Sequence, residues 1–185
     1  MKTLKTAAAI TALPFLFASS LASAAQEGDN YVGVQQGIFA YEESGVDTLH
    51  PTAVIGRLGR YGNEEIALEA RFGMGLTEDD TNISGVDVDL ELDRIFGVYG
   101  VGHIPFGEAF SVYALAGFTA VKVTATGSYM GNSMSFSDDD NGFSFGLGAQ
   151  LNLGKTLSIH GEYINYLDGD FYDLEAISGG VTFAF

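Results

Sequence analysis

From Asn141 onward the chain alternates. Phe143, Phe145, Leu147, Ala149, Leu151 and Leu153 are separated by Ser144, Gly146, Gly148, Gln150 and Asn152. An extended segment therefore carries six apolar side chains on one face and small or polar ones on the other. The end of the chain repeats this, with Ile177, Gly179, Val181, Phe183 and Phe185 against Ser178, Gly180, Thr182 and Ala184. The same period runs through residues 31–41, where Val32, Val34, Gln36, Ile38 and Ala40 alternate with Tyr31, Gly33, Gln35, Gly37 and Phe39. It runs again through Ile66–Met74 and Leu157–Tyr163. Thr52–Arg60, Leu92–Val101 and Phe110–Val123 bring the predicted strands to eight, although their patterns do not set a register. There the cost of charge decides: a lipid-facing Arg near the midplane costs about 2–4 kcal/mol. Arg94 is accordingly expected inside, with Ile95, Tyr99 and Val101 outside.

The connections alternate too. Those at residues 61–65, 103–109 and 152–156 are short, whereas those beginning near Glu42, Leu76, Thr124 and Asn165 are longer and polar. Tight turns at one end and long loops at the other, with an even strand count, define a membrane barrel. In that setting the aromatic rows meet lipid and the small residues allow a narrow interior to close. The expected fold is all-β: an eight-stranded antiparallel up-and-down transmembrane β-barrel over residues 25–185.

The first 24 residues are assigned to a cleaved secretory signal peptide. Lys2 and Lys5 precede an apolar run from Ala7 to Ala18, and Ala22 and Ala24 form a small-residue cleavage pattern. Their removal leaves six basic residues against 24 acidic ones. Such acidity excludes nucleic acid as a partner, because phosphate binding needs a basic surface. Export leads to an oxidising compartment, yet the chain has no cysteine. Closure of the sheet, not disulfides, must protect its edges.

With these features the chain resembles the small outer-membrane β-barrel family that includes the transmembrane domain of outer membrane protein A. NYVGVQQGIFAY is similar to the family's first strand, NEEIALEARFG to the entry of its third and LSIHGEYINY to its seventh. The resemblance implies an outer-membrane location. It also implies that Gln35 stands where the family often has an inward lysine, Glu69 and Glu162 at inward glutamates, and His160 at an inward arginine. Two cationic positions are thus neutral or weaker here, so the family's internal salt-bridge gate does not transfer directly. Val181, Phe183 and the terminal Phe185 resemble the family's C-terminal assembly signal, which implies contact with the outer-membrane assembly machinery.

Candidate chemistry is sparse. Gln35, Arg57, Glu69, Arg71, His160 and Glu162 are expected to form a polar cluster in the interior, serving either a gate or simply mutual neutralisation. The inward glycines 33, 37, 73, 146 and 148 are expected to leave separate polar pockets. Ser158 and His160 share a face, but side chains two apart on one strand point in parallel. His50 and His103 are placed in loops on opposite sides, and no G-x-S-x-G motif occurs, so no enzymatic activity is expected. Asp139, Asn141 and Gly142 mimic part of an EF-hand loop; Ser137 and Gly148 occupy positions that need carboxylates, so no metal and no cofactor is expected. The acids concentrate in the long segments: Glu42, Glu43 and Asp47; Glu78, Asp79, Asp80, Asp87 and Asp89; Asp138, Asp139 and Asp140; Asp168, Asp170 and Asp173. Tyr129, Met130, Met134 and Phe136 interrupt the third of these as a partner-binding tip or an extension of paired strands. The expected partners are outer-membrane lipids and lipopolysaccharide, with the barrel a monomer. The expected role is structural or surface-interactive, through acidic extracellular loops; the alternative is a porin-like narrow channel for small solutes.

Overall fold

The computed structural model describes residues 28–43, 49–77, 79–83, 86–129, 132–168 and 172–185. The expected leader, together with Asp47, Glu78, Met130 and Asp170, lies outside the described residues. Nine strands are present among the described residues: β1 (Asn30–Glu43), β2 (Thr52–Tyr61), β3 (Ile66–Thr77), β4 (Asp79–Ile83), β5 (Val86–Phe106), β6 (Phe110–Tyr129), β7 (Asn132–Asn152), β8 (Leu157–Asp168) and β9 (Tyr172–Ala184). Eight of them form a ring in the order β3-β2-β1-β9-β8-β7-β6-β5, closed by pairing of β3 with β5. Every pairing is antiparallel. The remaining strand, β4, is a short addition that pairs, among the described residues, only with the loop end of β5.

Alternation produces two surfaces. Along β3, Ala67, Glu69, Arg71 and Gly73 are buried, while Ile66, Leu68, Phe72 and Met74 are exposed. The exposed rows of the other strands are also apolar: Val32, Val34 and Ile38 on β1, Phe143, Phe145 and Leu147 on β7, Ile177 and Phe183 on β9. An outer belt of this extent is stable in hydrocarbon and not in water, where contiguous apolar patches are small. The chain ends are tied together at the turn end, where Asn30 and Phe185 exchange backbone hydrogen bonds of 3.0 and 2.8 Å.

Three expectations are corrected. First, Arg94 is exposed, and Ile95, Tyr99 and Val101 are buried. A bulge between Leu92 and Arg94 shifts the register, so Leu92 and Ile95 both face inward. Arg94 lies beyond the belt towards the loop end, paired with Asp139 at 3.5 Å, where the penalty for charge at the midplane does not apply. Second, His103 is in β5, not in a loop; its ring is buried between Tyr61 and Tyr113, with centroids 5.6 and 5.3 Å away. Third, Asp138, Asp139 and Asp140, expected in a long loop, lie on strand β7: β6 and β7 pair without a break from Phe110↔Leu151 to Tyr129↔Asn132, which is the extension of paired strands given as one of the two readings of that segment.

Candidate functional site

The interior has three layers. At the turn end Tyr31, Tyr61, His103 and Tyr113 pack ring against ring, Tyr31 and Tyr61 at 5.2 Å. At the loop end Phe39 stacks on Tyr166 at 5.4 Å, within a buried apolar group that includes Ile55, Ile95, Ile164 and Leu174. Between them lies the charged layer.

Glu69 and Glu162 are its hubs. Glu69 accepts hydrogen bonds from Tyr31 Oη (2.6 Å), Arg57 Nη2 (2.7 Å), Arg57 Nε (3.0 Å) and Arg71 Nε (2.5 Å). Glu162 accepts hydrogen bonds from Arg71 Nη1, Arg71 Nη2 (3.0 Å), Gln35 Nε2 (2.9 Å) and Tyr113 Oη (3.0 Å). Arg71 thus bridges the two carboxylates and lies over the Tyr99 ring, 4.9 Å from its centroid. Arg57 donates to Gln35 Oε1 at 3.3 Å, and its Nη1 is 3.9 Å from Glu162. Two guanidinium and two carboxylate groups make the layer formally neutral, as charges out of water require.

All six residues singled out from sequence as an interior cluster are buried, and hydrogen bonds join them into one network. The cations missing from Gln35 and His160 are supplied by Arg57 on β2 and Arg71 on β3. Gln35 and His160 act instead as neutral bridges. Because the Gln35 oxygen faces His160 Nε2 at 3.0 Å, that nitrogen donates and Nδ1 accepts from Thr182 at 3.2 Å. Sequence reasoning missed a second string. Tyr99 Oη and Thr119 Oγ1 are 2.6 Å apart, Thr119 and Ser144 hydroxyls 2.5 Å apart, and Ser144 donates to the Tyr166 carbonyl at 2.7 Å. Thr119 and Ser144 lie on the inward rows of β6 and β7; the inverted parity of β5 hid their partner.

The expected pockets at the inward glycines are also corrected. A Cβ on Gly148 would strike the Tyr113 ring, one on Gly37 would meet the Phe39 ring at 3.1 Å, and one on Gly73 would meet Ile55 at 3.0 Å. These three glycines seat large side chains, while Gly33 and Gly146 lie against the backbone of the neighbouring strand, where a Cβ would meet Val181 O at 2.8 Å and Tyr163 O at 2.6 Å.

Other candidates are dispersed. Ser158 donates to Asn152 at 2.9 Å and not to His160, whose two ring nitrogens face Gln35 and Thr182. The partial EF-hand likeness lies on the extended strand β7, which sends alternate side chains to opposite faces and cannot wrap a cation.

Beyond the belt, β5, β6 and β7 continue as a sheet. Pairing of β7 with β8 stops at Phe145↔Asn165, so from Asn132 to Ser144 β7 pairs, among the described residues, with β6 alone. Its outer row pairs hydroxyls with β6, Thr124 with Ser137 at 2.8 Å and Thr126 with Ser135 at 3.0 Å. The other row carries Met134 and Phe136, 64% and 68% exposed.

A closed antiparallel ring with an apolar belt and a neutralised polar interior is a transmembrane β-barrel. The outer membrane protein beta-barrel domain model matches residues 8–185, and the chain belongs to that family. It is an outer-membrane protein, so the short turns are periplasmic and the long connections extracellular. No curated protein matches it by sequence. Among solved structures it is similar to Ail, the attachment invasion locus protein of Yersinia pestis, with a TM-score of 0.63 at 18% identity. That match covers 86% of this chain and 100% of Ail. Neisserial surface protein A is similar at a TM-score of 0.65 and 14% identity, over 86% of this chain and 100% of that one. OprG of Pseudomonas aeruginosa matches at 0.52 and 12%, over 86% and 97%. At these identities the likeness is one of fold.

Proposed function

We propose that this barrel is a surface-interaction protein: an exported chain, cleaved after its leader at about Ala24, that holds an acidic β-sheet above the outer membrane without a catalytic step. The observation that carries the reading is the extracellular continuation of β5, β6 and β7, whose outermost strand has, among the described residues, an unpaired edge beside exposed Met134 and Phe136. An exposed strand edge is a template for an added strand, and alternate side chains on it select the partner. Asp138, Asp139 and Asp140 lie on that strand. They favour an extended, basic protein segment and disfavour polyanions. The neighbour Ail has been solved with the heparin analogue sucrose octasulfate; the charge on this chain's sheet argues for the opposite kind of ligand here. The terminal strand is read as the handle for the assembly machinery, and lipid and lipopolysaccharide as the surroundings of the belt.

The test shortens the extension while sparing the barrel. Bacteria displaying the wild-type chain, or a variant with residues 125–136 replaced by a two-residue Asn-Gly turn, are compared for adhesion to surfaces coated with basic extracellular proteins. Adhesion should fall to background in the shortened variant while the barrel stays heat-modifiable on gels. Equal adhesion by both overturns the proposal. The alternative, a narrow channel, draws on the continuous polar string from Arg57 to Glu162 and is decided by conductance.

A further inference from the structure

Gln36 places a polar side chain on the outer wall of the barrel, below Glu175, which stands opposite Ala40. It points outward, midway along the row Val32, Val34, Gln36, Ile38 and Ala40, whose other members are apolar. Its strand neighbours are Gly179 on β9 and Val54 on β2. No hydrogen-bond partner for its carboxamide occurs among the described residues. A carboxamide at this depth has no water to bond, so it needs a partner from another molecule.

The surface around it is shaped for close approach. On one side Gly179 pairs with Gly161, and both are exposed. The barrel does not need glycine at either: an added Cβ would meet only a carbonyl oxygen, at 3.7 and 3.8 Å, an ordinary contact. Gly180 next door differs, since a Cβ there would collide with the backbone of Val34 and Gln35. Above the bare strip stands Ile177, 68% exposed. On the other side of Gln36 a groove of about 420 Å³ is floored by Gly56 and Ala70 and walled by Leu58, Phe72 and Phe96.

We propose that this wall is a homodimer interface within the outer membrane, with Gln36 at its two-fold axis. The choice of a second copy rests on the chemistry of the group: a carboxamide carries both donors and an acceptor, so two of them facing across a two-fold axis satisfy each other with a reciprocal pair of hydrogen bonds. The same axis places the glycine strip and Ile177 of one barrel against the groove of the other, and the reverse. Small residues and a polar bond are what hold surfaces together in lipid, where apolar contact gains nothing over the solvent. This replaces the monomer expected from sequence, and it stands independently of the adhesion reading, since it concerns the wall and not the extracellular sheet.

Because the chain lacks cysteine, single-cysteine variants report proximity cleanly. Gln36→Cys on β1 is compared with Ala116→Cys, which is outward-facing on β6, the opposite wall. Oxidation in isolated outer membranes should link Gln36→Cys into a dimer at least tenfold more than Ala116→Cys. In lipid vesicles, energy transfer between labelled barrels should weaken about tenfold in Gln36→Leu and be partly retained in Gln36→Asn, all variants keeping heat-modifiable mobility as proof of folding. Equal linkage at both positions, linkage of Gln36→Cys to a different protein, or undiminished energy transfer in Gln36→Leu would each overturn the proposal.

Discussion

Tyr31 and Gly59 face each other across the β1–β2 pair, and the tyrosine ring occupies the space where a Cβ on residue 59 would sit. The ring cannot simply swing aside, because its hydroxyl is held by Glu69 at 2.6 Å. Gly59→Ala should therefore either strain the pair or break that bond, at about 1–3 kcal/mol, as overpacking of interiors usually costs. Gly102, with nothing within 4 Å of an added Cβ, should accept alanine at about 0.5 kcal/mol or less. Urea unfolding in lipid vesicles, read by gel mobility because the chain has no tryptophan, separates the two; equal midpoints would refute the packing argument.

Removing Glu69 should be costlier. It would leave Arg57 without its main partner and Arg71 with only Glu162, inside a layer from which water is excluded. Breaking a buried pair costs about 3–5 kcal/mol. Asp139, paired with Arg94 where both side chains are more than half exposed, should give less than about 1 kcal/mol on Asp139→Ala. If Glu69→Ala and Asp139→Ala shift the unfolding midpoint alike, the interior is hydrated.

The strands and the interior differ in how far the sequence discloses them. Strands β1, β3, β7, β8 and β9 were legible because an uninterrupted period of two fixes both faces at once. In β5 the bulge at Asp93 inverts parity between Leu92 and Ile95, and no local composition announces it. A rule about the cost of charge then placed Arg94 inside, when its height, beyond the belt, was the missing variable. The six polar interior residues were legible as inward positions, but their partners were not. Which carboxylate meets which guanidinium depends on the curvature that brings β3 across to β8. Arg94→Ala tests the corrected register: it should cost under about 1 kcal/mol, as exposed pairs do, whereas a loss several times larger would restore the inward placement.

The assembly role proposed for the terminal strand is tested at its end. Phe183 on β9 and Phe185 just past its end are exposed, next to the seam where Asn30 and Phe185 close the ring. A carboxylate there meets lipid near the periplasmic interface and weakens the strand that completes the barrel. Phe185→Asp should reduce the amount of heat-modifiable protein in the outer membrane several-fold. Recovery at wild-type levels would show that this end carries no assembly information.

Conduction is the last question the interior poses, and two barriers in series bear on it. An eight-stranded barrel is only wide enough for side chains to fill. Here the charged layer spans the bore from β2 and β3 to β8, and the apolar layer of Phe39, Tyr166, Ile55, Ile95, Ile164 and Leu174 closes the extracellular side above it. Rearranging the ion pairs would open only the first of these; in the apolar layer an ion would exchange its water for little beyond the Tyr166 hydroxyl, which is costly in a narrow bore. Purified protein in planar bilayers should therefore show no steady ohmic current at moderate voltage, and Glu69→Gln should not create one. Phe39→Ala combined with Glu69→Gln removes part of both barriers and should be the variant that leaks. Steady wild-type channels whose current changes on Glu69→Gln alone would mean that the apolar layer is not a seal, and would favour the narrow-channel reading over surface interaction.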